Sequence, residues 1–88
     1  MDAETRLKRL RFRAWHRGTR EADMLVGGFF DTYSESWTLE EVDLFEVLIE
    51  EADVDILAWA MDTADVPERY QGPMMTAIKK LDYIPVAR

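Results

Sequence analysis

Between positions 22 and 33 the apolar residues Ala22, Leu25, Val26, Phe29, Phe30 and Tyr33 fall at i, i+3, i+4, i+7, i+8 and i+11. Only a period near 3.6 residues places all six on one side of the backbone, so this segment folds as an amphipathic helix. Its stripe is aromatic and must be covered. Thr19 stands where its hydroxyl can cap the first turn, and Glu21 and Asp23 suit the positive end of the helix dipole. Gly27 and Gly28 lie in mid-helix, where each costs about 1 kcal/mol relative to alanine. They mark a bend or a close backbone approach.

The rest of the chain carries the same period. Leu7, Leu10, Ala14 and Trp15 predict a first helix with arginines on its other face, stopped by Gly18, which accepts a left-handed backbone. Thr38-Leu39-Glu40-Glu41 is a capping box ahead of Leu39, Val42, Phe45 and Ile49 on one side, with Leu48 beside them. Asp53 is expected to cap a short fourth helix whose Ile56, Trp59 and Ala60 share a face, and Pro67 forbids its continuation. Gly72-Pro73 opens a fifth helix with Met74, Ile78 and Leu81 at i, i+4 and i+7, and Pro85 is expected to end it. No alternating strand pattern competes. The expectation is an all-α, compact five-helix bundle, with residues 1–88 as one small domain. Trp15, Phe29, Phe30, Phe45 and Trp59 are its expected core or near-core aromatics.

With 88 residues there is room for one core and none for a deep substrate pocket. The chain has no cysteine, which excludes disulfides, thiolate nucleophiles and thiolate metal sites. It holds no run of about 18 apolar residues to span a bilayer. The arginine-rich start imitates a mitochondrial leader, but Asp2 and Glu4 speak against one. These features together predict a bacterial cytoplasmic protein without membrane insertion. Net charge is −7, unevenly spread. Residues 1–20 hold seven Lys/Arg and two Asp/Glu, whereas residues 21–68 hold fifteen acids and no Lys or Arg. Opposed electrostatic ends are expected, and two readings stay open: they orient the molecule toward a charged partner, or the acids are a solvated face of a helical domain.

Catalytic chemistry has no visible address. His16 is the only histidine, so no two-histidine metal site exists, and no nucleophile stands beside it. The acids Glu40, Glu41, Asp43, Glu46, Glu50 and Glu51 follow the outside of the third helix, where solvation explains them. Asp53-Val54-Asp55 lacks the glycine and distal glutamate of a calcium loop, and Gly27-Gly28 lacks the setting of a phosphate cradle. We therefore expect no enzyme, no catalytic or metal-binding residue and no cofactor-binding residue. Arg6, Lys8, Arg9, Arg11, Arg13, Arg17 and Arg20 form a basic stripe, yet an acidic chain repels nucleic acid with most of its surface. What remains is the corner around Gly18. Arg17 and Glu21 straddle it, and two readings stay open: a docking edge, or an αα-hairpin corner explained by helix-end chemistry.

Arg17-Gly18-Thr19-Arg20-Glu21 also matches an RGxxE motif. With Phe29-Phe30 downstream, Phe45, Leu48, Asp53, Asp55, Ile56 and Trp59, the chain resembles the SdhE-type succinate dehydrogenase assembly factors over about residues 5 to 82. That family is also called the FAD assembly or flavinylation factors. The resemblance implies a chaperone-like factor, monomeric and not an enzyme, that binds the flavoprotein subunit of succinate dehydrogenase, and sometimes of fumarate reductase. It promotes covalent attachment of FAD to a histidine of that partner, so His16 is not the flavin-linked residue. The factor itself is expected to hold no FAD tightly. Arg17, Gly18 and Glu21 are implied at the partner surface, with Arg13, His16, Arg20 and Met24 as a second set. The alternative is a small helical interaction adaptor without a flavin role.

Overall fold

The computed structural model describes residues 2–84. Five helices form a bundle, with no strand among the described residues: α1 (Ala3–Trp15), α2 (Arg20–Tyr33), α3 (Leu39–Leu48), α4 (Asp53–Ala60) and α5 (Pro73–Lys80). Two short 3-10 turns, Ser34–Ser36 and Glu68–Tyr70, lie in the connections.

Helix starts follow local chemistry. The Asp2 carboxylate accepts the Thr5 N–H at 2.7 Å, which holds its pKa below the usual range. Thr19 accepts from Ala22, and at Thr38 both halves of the capping box form, at 3.2 and 2.9 Å. Gly72 occupies the cap position before Pro73. Asp53 departs from its expected role. The N-cap of α4 is Ala52, which makes no side-chain cap bond, and Asp53 sits inside the first turn. Its carboxylate turns instead to Arg17, in the connection between α1 and α2. α5 stops at Leu81, which takes a left-handed conformation with φ 55°. Leu81 is thus the cap of the helix, and its half-buried side chain still packs against the core as the stripe implied. Pro85, the expected stop, lies outside the described residues.

Phe29 is the hub of the core. Its ring meets Tyr33, Tyr83, Trp37 and Phe45 at centroid distances of 4.9 to 6.3 Å, in tilted or edge-on arrangements that suit the ring quadrupoles. Phe30, Phe45 and Trp59 are buried as expected. Trp15 is only half-buried, because its indole lies in the seam between α1 and α2 rather than inside the bundle. Leu39 is 71% exposed, against expectation. At the first position of α3 it stands at the rim, where it borders a surface groove with Leu7, Trp37 and Val42.

The two mid-helix glycines are close approaches. A Cβ at Gly27 would fall 2.3 to 2.6 Å from the Trp15 indole, and one at Gly28 would meet the Tyr83 carbonyl at 3.3 Å. The indole is held there, since its N–H donates to Asp31 at 3.1 Å, and Asp31 also pairs with Arg11 at 2.9 Å.

Charge segregation along the sequence becomes charge pairing across the fold. Arg6 on α1 pairs with Asp43 at 2.6 Å and Glu46 at 3.1 Å on α3; Arg13 pairs with Glu50; Arg17 reaches Asp53 at 2.8 Å. The order of partners shows that α1 and α3 run in the same direction. This revises the expectation of opposed electrostatic ends, because much of the basic start faces the acidic middle. The outer pairs are exposed and contribute about 0–1 kcal/mol each, so they set register more than stability.

Two outcomes follow. Gly27→Ala gains helix propensity of about 1 kcal/mol but drives a methyl into the fixed indole. Overpacking of this kind costs about 1–3 kcal/mol, so a lower melting temperature and altered Trp15 fluorescence are expected. The buried Tyr83 hydroxyl donates to the Ile78 carbonyl at 2.8 Å, and burial pushes its pKa well above the ordinary 10.0. The folded state thus prefers the protonated phenol. Its contribution is whole below pH 10.0 and is lost as pH rises above it, so urea unfolding at rising alkaline pH should show a shallower decline for Tyr83→Phe.

Candidate functional site

The corner between α1 and α2 is built by four consecutive residues. His16 ends α1 with φ −124°, Gly18 takes φ +111°, and Thr19 returns to extended backbone as the cap of α2. Residues with a side chain rarely adopt the Gly18 conformation. The turn is then tied from within α2, where the Asp23 carboxylate accepts the Arg17 backbone N–H at 2.5 Å.

Arg17 points inward. Its side chain is 11% exposed; Nε donates to Asp53 at 2.8 Å, and Nη2 donates to the carbonyls of Ile49 at 2.8 Å and Glu51 at 3.4 Å. Those carbonyls lie at and just beyond the end of α3, where helix geometry leaves acceptors without intrahelical partners. A cation there suits the negative end of the α3 dipole, and Asp53 neutralises it at the start of α4. One side chain thereby joins the α1–α2 corner to the α3–α4 junction.

The other expected residues divide by what they touch. Gly18 is exposed, and a Cβ there would have no neighbour within 4 Å. Glu21 is exposed in the first turn of α2 and takes part in no ion pair among the described residues. Arg20 is likewise exposed and unpaired, while Met24, three residues beyond Glu21 on the helix, is half-buried. Arg13 is engaged by Glu50. The His16 ring stacks on Phe12 with centroids 3.9 Å apart, and its Nδ1 lies 2.6 Å from the Phe12 carbonyl. Since a carbonyl can only accept, Nδ1 carries the proton. Gly18, Arg20 and Glu21 are thus available at the corner, whereas Arg13 is paired with Glu50 at the surface and the Arg17 charge is taken up inside the molecule.

Sequence reasoning missed Asp53 as the partner of Arg17. Its position ahead of an apolar run reads as a cap, and the 36-residue separation from Arg17 leaves no local signal. The excess of acids opposite an excess of bases was the available hint.

The arrangement separates stability from surface. Asp53→Ala leaves a nearly buried guanidinium without its counter-charge and is expected to cost about 1–3 kcal/mol. Glu21→Ala, which breaks no contact, should stay within about 0.5 kcal/mol of the parent. Urea unfolding of both variants measures the difference.

Comparison with known proteins adds an independent line. Residues 8–82 match the family model described as the flavinator of succinate dehydrogenase. The chain is 39% identical over 70 residues to a protein of Acetobacter pasteurianus named FAD assembly factor SdhE, an alignment covering 80% of this chain and 64% of that protein. It is 36% identical over 66 residues to a mitochondrial succinate dehydrogenase assembly factor 2 of Lodderomyces elongisporus, covering 72% of this chain and 40% of the relative. A Yarrowia lipolytica protein of the same name is 31% identical over 84 residues, covering 91% of this chain and 58% of the relative. The chain therefore spans less than two thirds of the length of each. The match over residues 8–82 and the 39% identity to the Acetobacter pasteurianus protein show the family: this chain belongs to the flavinators of succinate dehydrogenase.

Proposed function

We propose that the chain is an assembly factor that docks the flavoprotein subunit of succinate dehydrogenase at the α1–α2 corner and promotes covalent attachment of FAD to a histidine of that subunit. The observation that carries this reading is the pinned corner. Gly18 and Glu21 are exposed and uncommitted on a turn that Arg17, Asp23 and Thr19 hold from behind. Gly18 lets a partner's backbone come close, and Glu21 offers a free carboxylate to a partner donor. Arg17 acts through the turn it holds.

The covalent chemistry stays in the partner. Attachment requires the flavin and the acceptor histidine to reach a near-attack geometry, and holding reactants so can remove up to about 7–11 kcal/mol of barrier in ideal intramolecular cases. A small helical factor contributes by binding the flavoprotein conformer in which that geometry forms. It raises that conformer's population only by its differential affinity for it. It holds no FAD tightly itself, and it leaves once the mature subunit no longer presents the same surface.

The test is covalent flavin fluorescence of the purified flavoprotein subunit on a denaturing gel, at limiting FAD, with and without this chain. A stronger band with the chain is expected; equal bands would overturn the proposal. The flavoprotein subunit of fumarate reductase, run in parallel, measures the breadth of partner choice. Gly18→Ala, strained by about 1–2 kcal/mol at its positive φ, should remain folded by circular dichroism yet support less attachment.

A further inference from the structure

We propose that the outer face of α1, formed by Lys8, Arg9, Phe12 and His16, is a second docking surface, taking an acidic segment of the flavoprotein subunit that carries an apolar side chain. This rests on the partner named above. These positions share one side of the helix by their i, i+1, i+4 and i+8 spacing, opposite the buried Leu10 and Ala14. Phe12 is 62% exposed, and it is the one aromatic among the exposed large hydrophobics of the described residues. Its ring is not loose. The near-parallel stack on His16, 18° between planes, and the Nδ1 bond to the Phe12 carbonyl fix both rings before any partner arrives. A preformed flat platform loses little side-chain freedom on binding.

Charge says what covers it. Arg6, Arg13 and Arg17 are taken up by acids of the α3–α4 side, whereas Arg9 is exposed and in no ion pair among the described residues. Lys8 has only an exposed contact with Glu4 at 3.4 Å. Residues 21–68 carry fifteen acids and no Lys or Arg, so an acidic segment is repelled by most of this molecule and attracted here. Small ligands need walls that bury most of their surface. The depression beside Phe12 is bordered by residues of α1 and its cap alone, which suits a segment of protein lying across it. His16 directly precedes Arg17 and Gly18, so the surface continues the corner.

Calorimetric titration of the purified flavoprotein subunit with Phe12→Ala, Arg9→Glu and Glu21→Ala tests this. Phe12→Ala and Arg9→Glu should each weaken binding about tenfold or more, as truncating an anchor does, with thermal unfolding unchanged. Arg9→Glu should also flatten the salt dependence of binding. Parent-like binding by these two variants, with loss only in Glu21→Ala, would overturn the second surface and leave the corner standing. Failure of the parent chain to bind the subunit would overturn the corner reading itself. If sedimentation shows that Phe12→Ala abolishes only self-association, the occupant is a second copy and the proposal falls.

Discussion

The Arg17 guanidinium is the point on which the two halves of the bundle depend. From the corner of α1 and α2 it reaches across to the carbonyls of Ile49 and Glu51 and to the Asp53 carboxylate. It supplies donors to acceptors that a helix end leaves bare and sets a counter-charge beside itself, so each part of the cluster satisfies another. A nearly buried cation without these partners would be strongly unfavourable. Arg17 therefore holds the corner, and Gly18 and Glu21 face outward.

The same logic extends along α1. Arginines gathered in the first twenty residues would repel one another on an isolated helix, and the acids of α3 would do likewise. Set side by side, Arg6, Arg13 and Arg17 meet Asp43, Glu46, Glu50 and Asp53 in order. Exposed pairs add little stability, but a shift in register would oppose like charges to like. The apolar stripes supply the cohesion, and the charge ladder selects one alignment of the two helices.

How much of this was legible depended on distance along the chain. The helices of Thr19, of the Thr38–Glu41 capping box and of Gly72-Pro73 could be read because their caps act over three or four residues. The close approach at Gly27 could be read because glycine in mid-helix needs a reason, though nothing in the sequence named Trp15 as that reason. Asp53 and Leu39 were misread for a common cause. Each obeyed a local pattern that tertiary geometry overrode, one by drawing the carboxylate to Arg17 and the other by leaving the first turn of α3 at the rim. The corner was found through Gly18 and its neighbours, but the inward course of the Arg17 side chain needs the fold.

In this chain Arg17 and Glu21 therefore stand in different physical settings: Arg17 is bonded across to the α3–α4 junction, and Glu21 stands exposed on the first turn of α2. A double-mutant cycle on Arg17 and Asp53 tests that division most directly, with unfolding free energies of Arg17→Met, Asp53→Asn and the double variant. The account predicts strong coupling, of about 1–3 kcal/mol, with the double variant much less destabilised than the sum of the singles. Additive losses would show that Arg17 does not hold the corner through Asp53, and would contradict it.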